Sequence, residues 1–134
     1  MLLEARRFGG PKDDGGSGIA YDRRGNLTLA GIFQGTIAIE GSKLTGKDSY
    51  NLFIARFSRD ELSCVAGFED HRLDWATEVD GPYSGDFENN PRIGLTTQGD
   101  VMVTGSYQPA ARFGSFYLGS TGQEDGFLAF LNAL

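Results

Sequence analysis

Residues 18–33 read GIAYDRRGNLTLAGIF, and residues 92–107 read RIGLTTQGDVMVTGSY. Each stretch contains two short apolar runs separated by a glycine next to a polar residue, Gly25 in the first and Gly99 in the second. Apolar and polar residues alternate within the runs, which is the period of a β-strand with distinct faces. Glycine beside Asn or Asp favours a tight turn. Each stretch is therefore predicted to form two strands joined by a turn.

The two stretches are related by an offset of 74 residues that continues further along the chain. Between residues 19–57 and 93–131, seven of 39 aligned positions are identical and no gap is needed. Glycines, turns and apolar positions stay in register. The sequence therefore predicts a single domain over residues 1–134 that consists of two repeats. They cover about 1–60 and 73–134, with an inserted hairpin or longer loop at about 58–72.

The predicted secondary structure is all-β. The strands are expected at about 18–22, 26–32, 36–40 and 52–58 in the first repeat, and at about 91–96, 100–107, 111–117 and 126–131 in the second. A further strand is predicted around Trp75, with a counterpart over residues 2–8. No window combines helical periodicity with capping residues. These strands predict two four-stranded antiparallel sheets.

Composition and charge restrict the classes of partner. The net charge of −6 disfavours nucleic acid and an anionic membrane surface, because both require a basic face. Cys64 is the one cysteine, so no intrachain disulfide is predicted and the compartment stays undecided. Charge at Glu4, Arg6 and Arg7 arrives too early for a signal peptide, and no stretch is long and apolar enough to span a bilayer. The expectation is an acidic, soluble chain.

Few residues have the pattern of a catalytic or metal site. His71 is the single histidine and lies in a charged stretch predicted to be an exposed loop, whereas Cys64 lies in an apolar run typical of a buried thiol. One His and one Cys cannot supply a zinc cluster, and no metal or cofactor is predicted. Asp13 and Asp14 fit a calcium loop in residue type, but we favour a turn in which they bond local N–H groups.

A speculative binding site is predicted in the loop around Tyr83, Asp86 and Glu88. Acidic and aromatic residues are close together in this part of the sequence, which also contains Glu78 and Phe87. Paired carboxylates are the machinery of glycoside hydrolysis. A carbohydrate-active or other hydrolase is therefore the alternative to a protein without enzymatic activity. The favoured interpretation is non-enzymatic, because loop carboxylates are usually solvated.

Several motifs together resemble the bacterial seven-bladed β-propeller repeat family. They are Phe8-Gly9-Gly10, Asp13-Asp14, residues 18–22, Gly25-Asn26, Ala30-Gly31, Trp75-Ala76-Thr77, Thr104-Gly105 and residues 125–131. The second copy departs from the pattern, because Thr96 replaces the usual Asp and the paired Gly and Asp residues are missing. The resemblance implies propeller blades and a structural or unassigned role. Related repeats often occur in bacterial exported or surface proteins.

Two blades cannot close a propeller, which usually has four to eight. The chain is expected to be part of a longer propeller, to form a ring of three or four copies, or to fold as a two-sheet sandwich. In a ring, the first strand of each chain would complete a neighbour's last blade, so deletion of residues 1–8 is predicted to abolish assembly. The predicted function is a self-associating repeat module for binding or scaffolding, with an unknown ligand.

Overall fold

The computed structural model describes residues 5–47, 50–59, 71–79, 91–107, 110–113, 115–119 and 125–132. The strands in this part of the chain are β1 (Asp14–Tyr21), β2 (Leu27–Phe33), β3 (Thr36–Ile39), β4 (Ser42–Thr45), β5 (Asn51–Arg59), β6 (His71–Val79), β7 (Arg92–Leu95), β8 (Val101–Tyr107), β9 (Ala110–Phe113), β10 (Phe116–Gly119) and β11 (Asp125–Leu131). These residues contain no helix. The all-β prediction is confirmed.

The strands form two larger sheets and two hairpins, all antiparallel. Sheet 1 has the order β1-β2-β5-β6, and sheet 2 has the order β11-β8-β7. Hairpin 1 is β3-β4 and hairpin 2 is β9-β10. The prediction of two four-stranded sheets is therefore wrong for sheet 2, which has three strands among the described residues. Residues 36–45 and 110–119 form separate hairpins.

Strand register recurs at the offset of 74 residues. In sheet 1, Leu27 pairs with Phe57, and in sheet 2 Val101 pairs with Leu131. The same offset relates the ladder of β1 and β2 to that of β7 and β8, and hairpin 1 to hairpin 2. Gly25 and Gly99 both have positive φ, 82° and 88°, in the turns that precede β2 and β8. Strand β6 has no counterpart among the described residues.

Strand β5 lies in the middle of the core and is buried on both faces. Phe53 and Phe57 point to one face of sheet 1, where they pack with Ile37 and Ile39 of hairpin 1. Ile54 points to the other face and is fully buried. A strand covered on both sides is apolar at successive positions rather than at alternate ones. This explains the apolar run at the start of β5.

Sheet 1 packs face to face on sheet 2. Ile54 of β5 belongs to one buried cluster with Val101 and Val103 of β8 and Phe127 of β11. Strand β1 lies beside β7, and the Ser17 hydroxyl donates a hydrogen bond of 2.8 Å to the carbonyl of Pro91. The two sheets therefore meet both at the equivalent strands β1 and β7 and through the cluster around Ile54.

The segment before β1 packs on sheet 1 without forming a strand. Phe8 lies edge-on against Phe53, with ring centroids 5.4 Å apart. Gly9 and Ala38 of β3 exchange two backbone hydrogen bonds of 3.0 and 3.2 Å. The predicted strand over residues 2–8 is therefore wrong for residues 5–8, where Phe8 instead packs, partly buried, on the face of sheet 1. Residues 1–4 lie outside the described part of the chain.

Candidate binding surface

Asp22 organises the turn between β1 and β2. Its carboxylate accepts hydrogen bonds from the backbone N–H of Arg24 (2.8 Å) and from the backbone N–H (2.9 Å) and side-chain amide (2.8 Å) of Asn26. The Arg56 guanidinium lies 3.4 Å away. In the corresponding turn of sheet 2, the hydroxyl of Thr96 accepts from the N–H of Asp100 at 3.0 Å. Asp22 is therefore a turn residue.

The surroundings of Asp22 shift its acidity. Burial of the carboxylate raises the pKa, but the hydrogen bonds from Asn26 and Arg24 and the charge of Arg56 outweigh it. The pKa of Asp22 therefore lies below its ordinary value of 3.8. A carboxyl group with a lowered pKa stabilises the fold above its unfolded-state pKa, and the contribution is lost as the pH falls through the folded-state pKa.

Asp22→Asn is expected to lower the free energy of unfolding at pH 7 by about 1–2 kcal/mol, because charge-assisted hydrogen bonds are lost. The difference between wild type and variant should begin to shrink as the pH falls below 3.8 and should vanish once the pH lies below the lowered folded-state pKa of Asp22. Urea unfolding at a series of pH values from 7 down to 2 measures this dependence. Asp74→Asn is the control, since Asp74 is 48% exposed and 3.8 Å from Arg56, and should have little effect. A difference for Asp22→Asn that stays constant over the whole pH series would contradict the assignment.

The paired aspartates at the start of β1 have different kinds of partner. Asp14 accepts a hydrogen bond of 2.9 Å from the N–H of Gly10, as the turn interpretation predicts. Asp13 is exposed and accepts one from the hydroxyl of Tyr50 at 3.2 Å. Within the described ranges, no group of three or more His, Cys, Asp or Glu side chains is placed to hold a metal ion.

His71 is buried, so the prediction of an exposed loop is wrong. It is the first residue of β6 and pairs with Arg59, which draws it into sheet 1 although its sequence neighbours are charged. Its side chain lies beside the ring of Tyr21, with centroids 6.1 Å apart. Nε2 donates a hydrogen bond of 2.8 Å to the carbonyl of Gly25. His71 therefore packs against the end of β1 and is hydrogen-bonded to the β1–β2 turn.

The predicted loop site is not tested. Tyr83, Asp86 and Glu88 lie outside the described residues, as does Cys64, and the hydrolase alternative stays a prediction. Two residues of the repeat motifs fall on described strands. Trp75 on β6 is half-buried and packs against the cluster between the sheets. Asp125 is the first residue of β11, where it pairs with Tyr107.

The most prominent surface feature is an apolar face on sheet 2. Leu128 and Phe130 of β11 are each 65% exposed, whereas Phe127 on the opposite face is buried. Hairpin 2 adds Phe116 and Leu118, which are 74% and 36% exposed. Large apolar side chains exposed together mark an interaction site in a folded protein. We call Leu128 and Phe130 the donor face.

A cleft of about 490 Å³ runs beside β11 and hairpin 2. Its lining includes Leu128 and Phe130 from one face of β11 and Leu131 from the other, so it follows the edge of the strand. Thr77 and Glu78 of β6 form its far wall. In sheet 1, the corresponding edge of β5 pairs with β6. The cleft is therefore elongated, apolar along β11 and polar along β6.

A second, smaller cavity of about 150 Å³ lies on the face of sheet 1 turned away from sheet 2. We call it the acceptor cavity; its apolar lining is Phe8, Ile19, Leu27, Leu29, Ile39 and Phe57. Arg6, Arg7, Glu40 and His71 lie at its rim. The Arg6 guanidinium donates to the Glu40 carboxylate and to the His71 carbonyl, so Arg6 and Glu40 are paired with each other. An apolar floor inside a polar rim is typical of a protein interface.

The sequence of β11 carries a signal for the donor face. Residues 127–131 are apolar on both faces of β11, as residues 52–55 are on both faces of β5. That pattern predicts cover on both sides of a strand. Both faces of β5 are covered within the chain, but the Leu128 face of β11 is not. The sequence alone does not reveal this difference, because it depends on which sheet faces are covered in the fold.

These features define an all-β protein of stacked antiparallel sheets whose prominent site is an apolar face with an apolar cavity at the opposite end of the stack. The described residues include no helix of the length and hydrophobicity needed to cross a membrane. No family model matches the chain, and no curated protein or solved structure shows significant similarity to it.

Proposed function

We propose that the chain is a non-enzymatic, self-associating β-propeller-like module for binding or scaffolding. The observation that carries the proposal is the contrast between Ile54, which is fully buried, and Leu128 at the corresponding position, which is 65% exposed. An isolated chain leaves this apolar side chain in water, and burial against another sheet removes that cost.

The blade interpretation rests on the shared register of the two halves and on the way in which they stack. Each half has a ladder of three matching strands and a separate hairpin, and the first strands of the two ladders, β1 and β7, lie beside each other. Repeated units of this kind bury their faces by stacking on further units. Propeller blades are one architecture that uses such stacking. A closed ring of three or four chains would contain six or eight such sheets.

Multi-angle light scattering coupled to size exclusion tests the proposal. We expect a mass that is a small multiple of the 14.5 kDa chain, with a trimer or a tetramer as the ring predicts. Dissociation on dilution should be accompanied by increased binding of an apolar dye to the exposed face. A folded monomer at every concentration up to about 1 mM, well above the affinity range of specific interfaces, would overturn self-association and favour a two-sheet sandwich.

A further inference from the structure

In the contact between the two sheets, sheet 1 supplies a side chain that inserts (the donor side), and sheet 2 supplies the apolar site that receives it (the acceptor side). On the donor side, Ile54 of sheet 1 is fully buried. On the acceptor side, one cluster brings together residues of sheet 2 and hairpin 2, namely Ile93, Val101, Val103, Phe113 and Leu131. Because Ile54 belongs to the same cluster, it fills an apolar site made by these residues.

The five positions that precede these acceptor residues by 74 also hold apolar side chains, and there they line an empty space. Ile19, Leu27, Leu29, Ile39 and Phe57 correspond in register to the five acceptor residues of sheet 2, and all five line the acceptor cavity. Ile19 is 58% exposed at the cavity mouth. The cavity of about 150 Å³ is of the size that takes a benzene ring in an apolar protein interior.

The donor side likewise recurs 74 positions later, where it is uncovered. Leu128 corresponds to Ile54 and Phe130 corresponds to Arg56, and each is 65% exposed. In sheet 1, Arg56 pairs with Asp22, whereas Phe130 and Thr96 hold the matching positions of sheet 2. Sheet 2 therefore has an aromatic ring and a hydroxyl at the two positions where sheet 1 has an ion pair. The exposed face of β11 is thus more apolar at Phe130 than the covered face of β5 is at Arg56.

We propose that Leu128 of one chain inserts into the acceptor cavity of a second copy of the same chain and that Phe130 packs beside it on the donor face. The inference rests on the proposed function and specifies its interface. The internal contact between sheet 1 and sheet 2 is repeated between chains, so the interface is head-to-tail and each chain uses one donor face and one acceptor cavity. Arg6 and Glu40 at the rim are paired with each other, and Arg7 is a further charged residue of the cavity lining. Successive head-to-tail contacts close into a ring when the rotation permits.

Two variants that each disable one side test the inference by complementation. Leu128→Lys/Phe130→Lys removes the donor face and keeps the cavity, whereas Ile19→Lys blocks the cavity and keeps the donor face. All three positions are more than half exposed, so the fold should survive. Each variant alone is expected to weaken association about thirtyfold or more, the usual effect of losing an interface hot spot. An equimolar mixture should form a 1:1 heterodimer and nothing larger, because one intact interface remains.

Sedimentation velocity on the separate variants and on the mixture provides the readout, with circular dichroism and thermal unfolding as the check on folding. Tyr117→Lys is the matched control, since Tyr117 is 66% exposed and lines neither space. Ile19→Ser serves as a milder cavity variant if Ile19→Lys is destabilised. Wild-type assembly retained by either blocked variant, or a mixture that stays monomeric, would overturn the inference. The first result leaves the proposed self-association standing, whereas a monomeric wild type overturns both.

Discussion

Gly31→Ala is expected to lower the free energy of unfolding by about 3 kcal/mol, at the upper end of the range for overpacking a core. Gly31 lies in the middle of β2, between β1 and β5. A Cβ atom there would collide with the carbonyl oxygen of Gly15 and lie 2.6 Å from a ring atom of Phe53, which is fully buried. A backbone oxygen cannot move aside without breaking the ladder. Urea unfolding monitored by circular dichroism measures the loss.

Gly105→Ala is the matched control, because Gly105 holds the same register position in β8. A Cβ atom there would lie 3.0 Å from the ring of Phe127, and the nearest backbone atom, in Pro91, is 3.6 Å away. A tilt of one ring can relieve that contact, and alanine also restricts the unfolded chain, so the cost should be about 1 kcal/mol or less. Equal losses for the two variants would show that the close approach at Gly31 does not determine stability.

Ile54→Ala is expected to lower the free energy of unfolding by about 2–4 kcal/mol, the range for removing a large aliphatic side chain from a core. Ile54 is fully buried between the two sheets, where it belongs to the cluster with Val103 and Phe127. The substitution leaves a cavity between the sheets and no unpaired polar group. The loss of stability should therefore appear in both thermal and urea unfolding.

Leu128→Ala provides the comparison at the corresponding position. Leu128 is 65% exposed, so its truncation should change the stability of the dissociated chain by less than about 0.5 kcal/mol. The measurement is made at a protein concentration low enough to keep the chain monomeric. A loss as large as that of Ile54→Ala under these conditions would mean that Leu128 is covered within its own chain, against the proposed donor face.

Much of the strand pattern could be predicted from the sequence because turns and alternation are local. Gly25 and Gly99 locate the turns before β2 and β8, and the predicted strand starts lie within one residue of those observed. Strand β4 was not recognised because Ser42–Thr45 contains a single apolar residue. The burial of His71 was missed because it follows from pairing with Arg59 across sheet 1, which charged sequence neighbours do not reveal.

The candidate site was harder to predict for a physical reason. Leu128 and Ile54 look alike in sequence, since each alternates with apolar residues in a strand that is apolar on both faces. Their exposure differs because sheet 1 has a second sheet stacked on its Ile54 face and sheet 2 does not. The number of stacked layers is a property of the whole chain, and no window of sequence around Leu128 contains it. The predicted loop residues were chosen by chemical type alone.

The hydrogen bond between Ser17 and the carbonyl of Pro91 has a geometric consequence, because these residues hold the same position in the two halves. Equivalent points that touch must lie close to the axis of the rotation that carries one half onto the other. At the next residue, a Cβ on Gly18 would be 3.2 Å from the side chain of Ile93. The two layers therefore converge at β1 and β7 and form a wedge. Layers added by the same rotation would fan outwards from a common centre, with the β1 edges facing inwards.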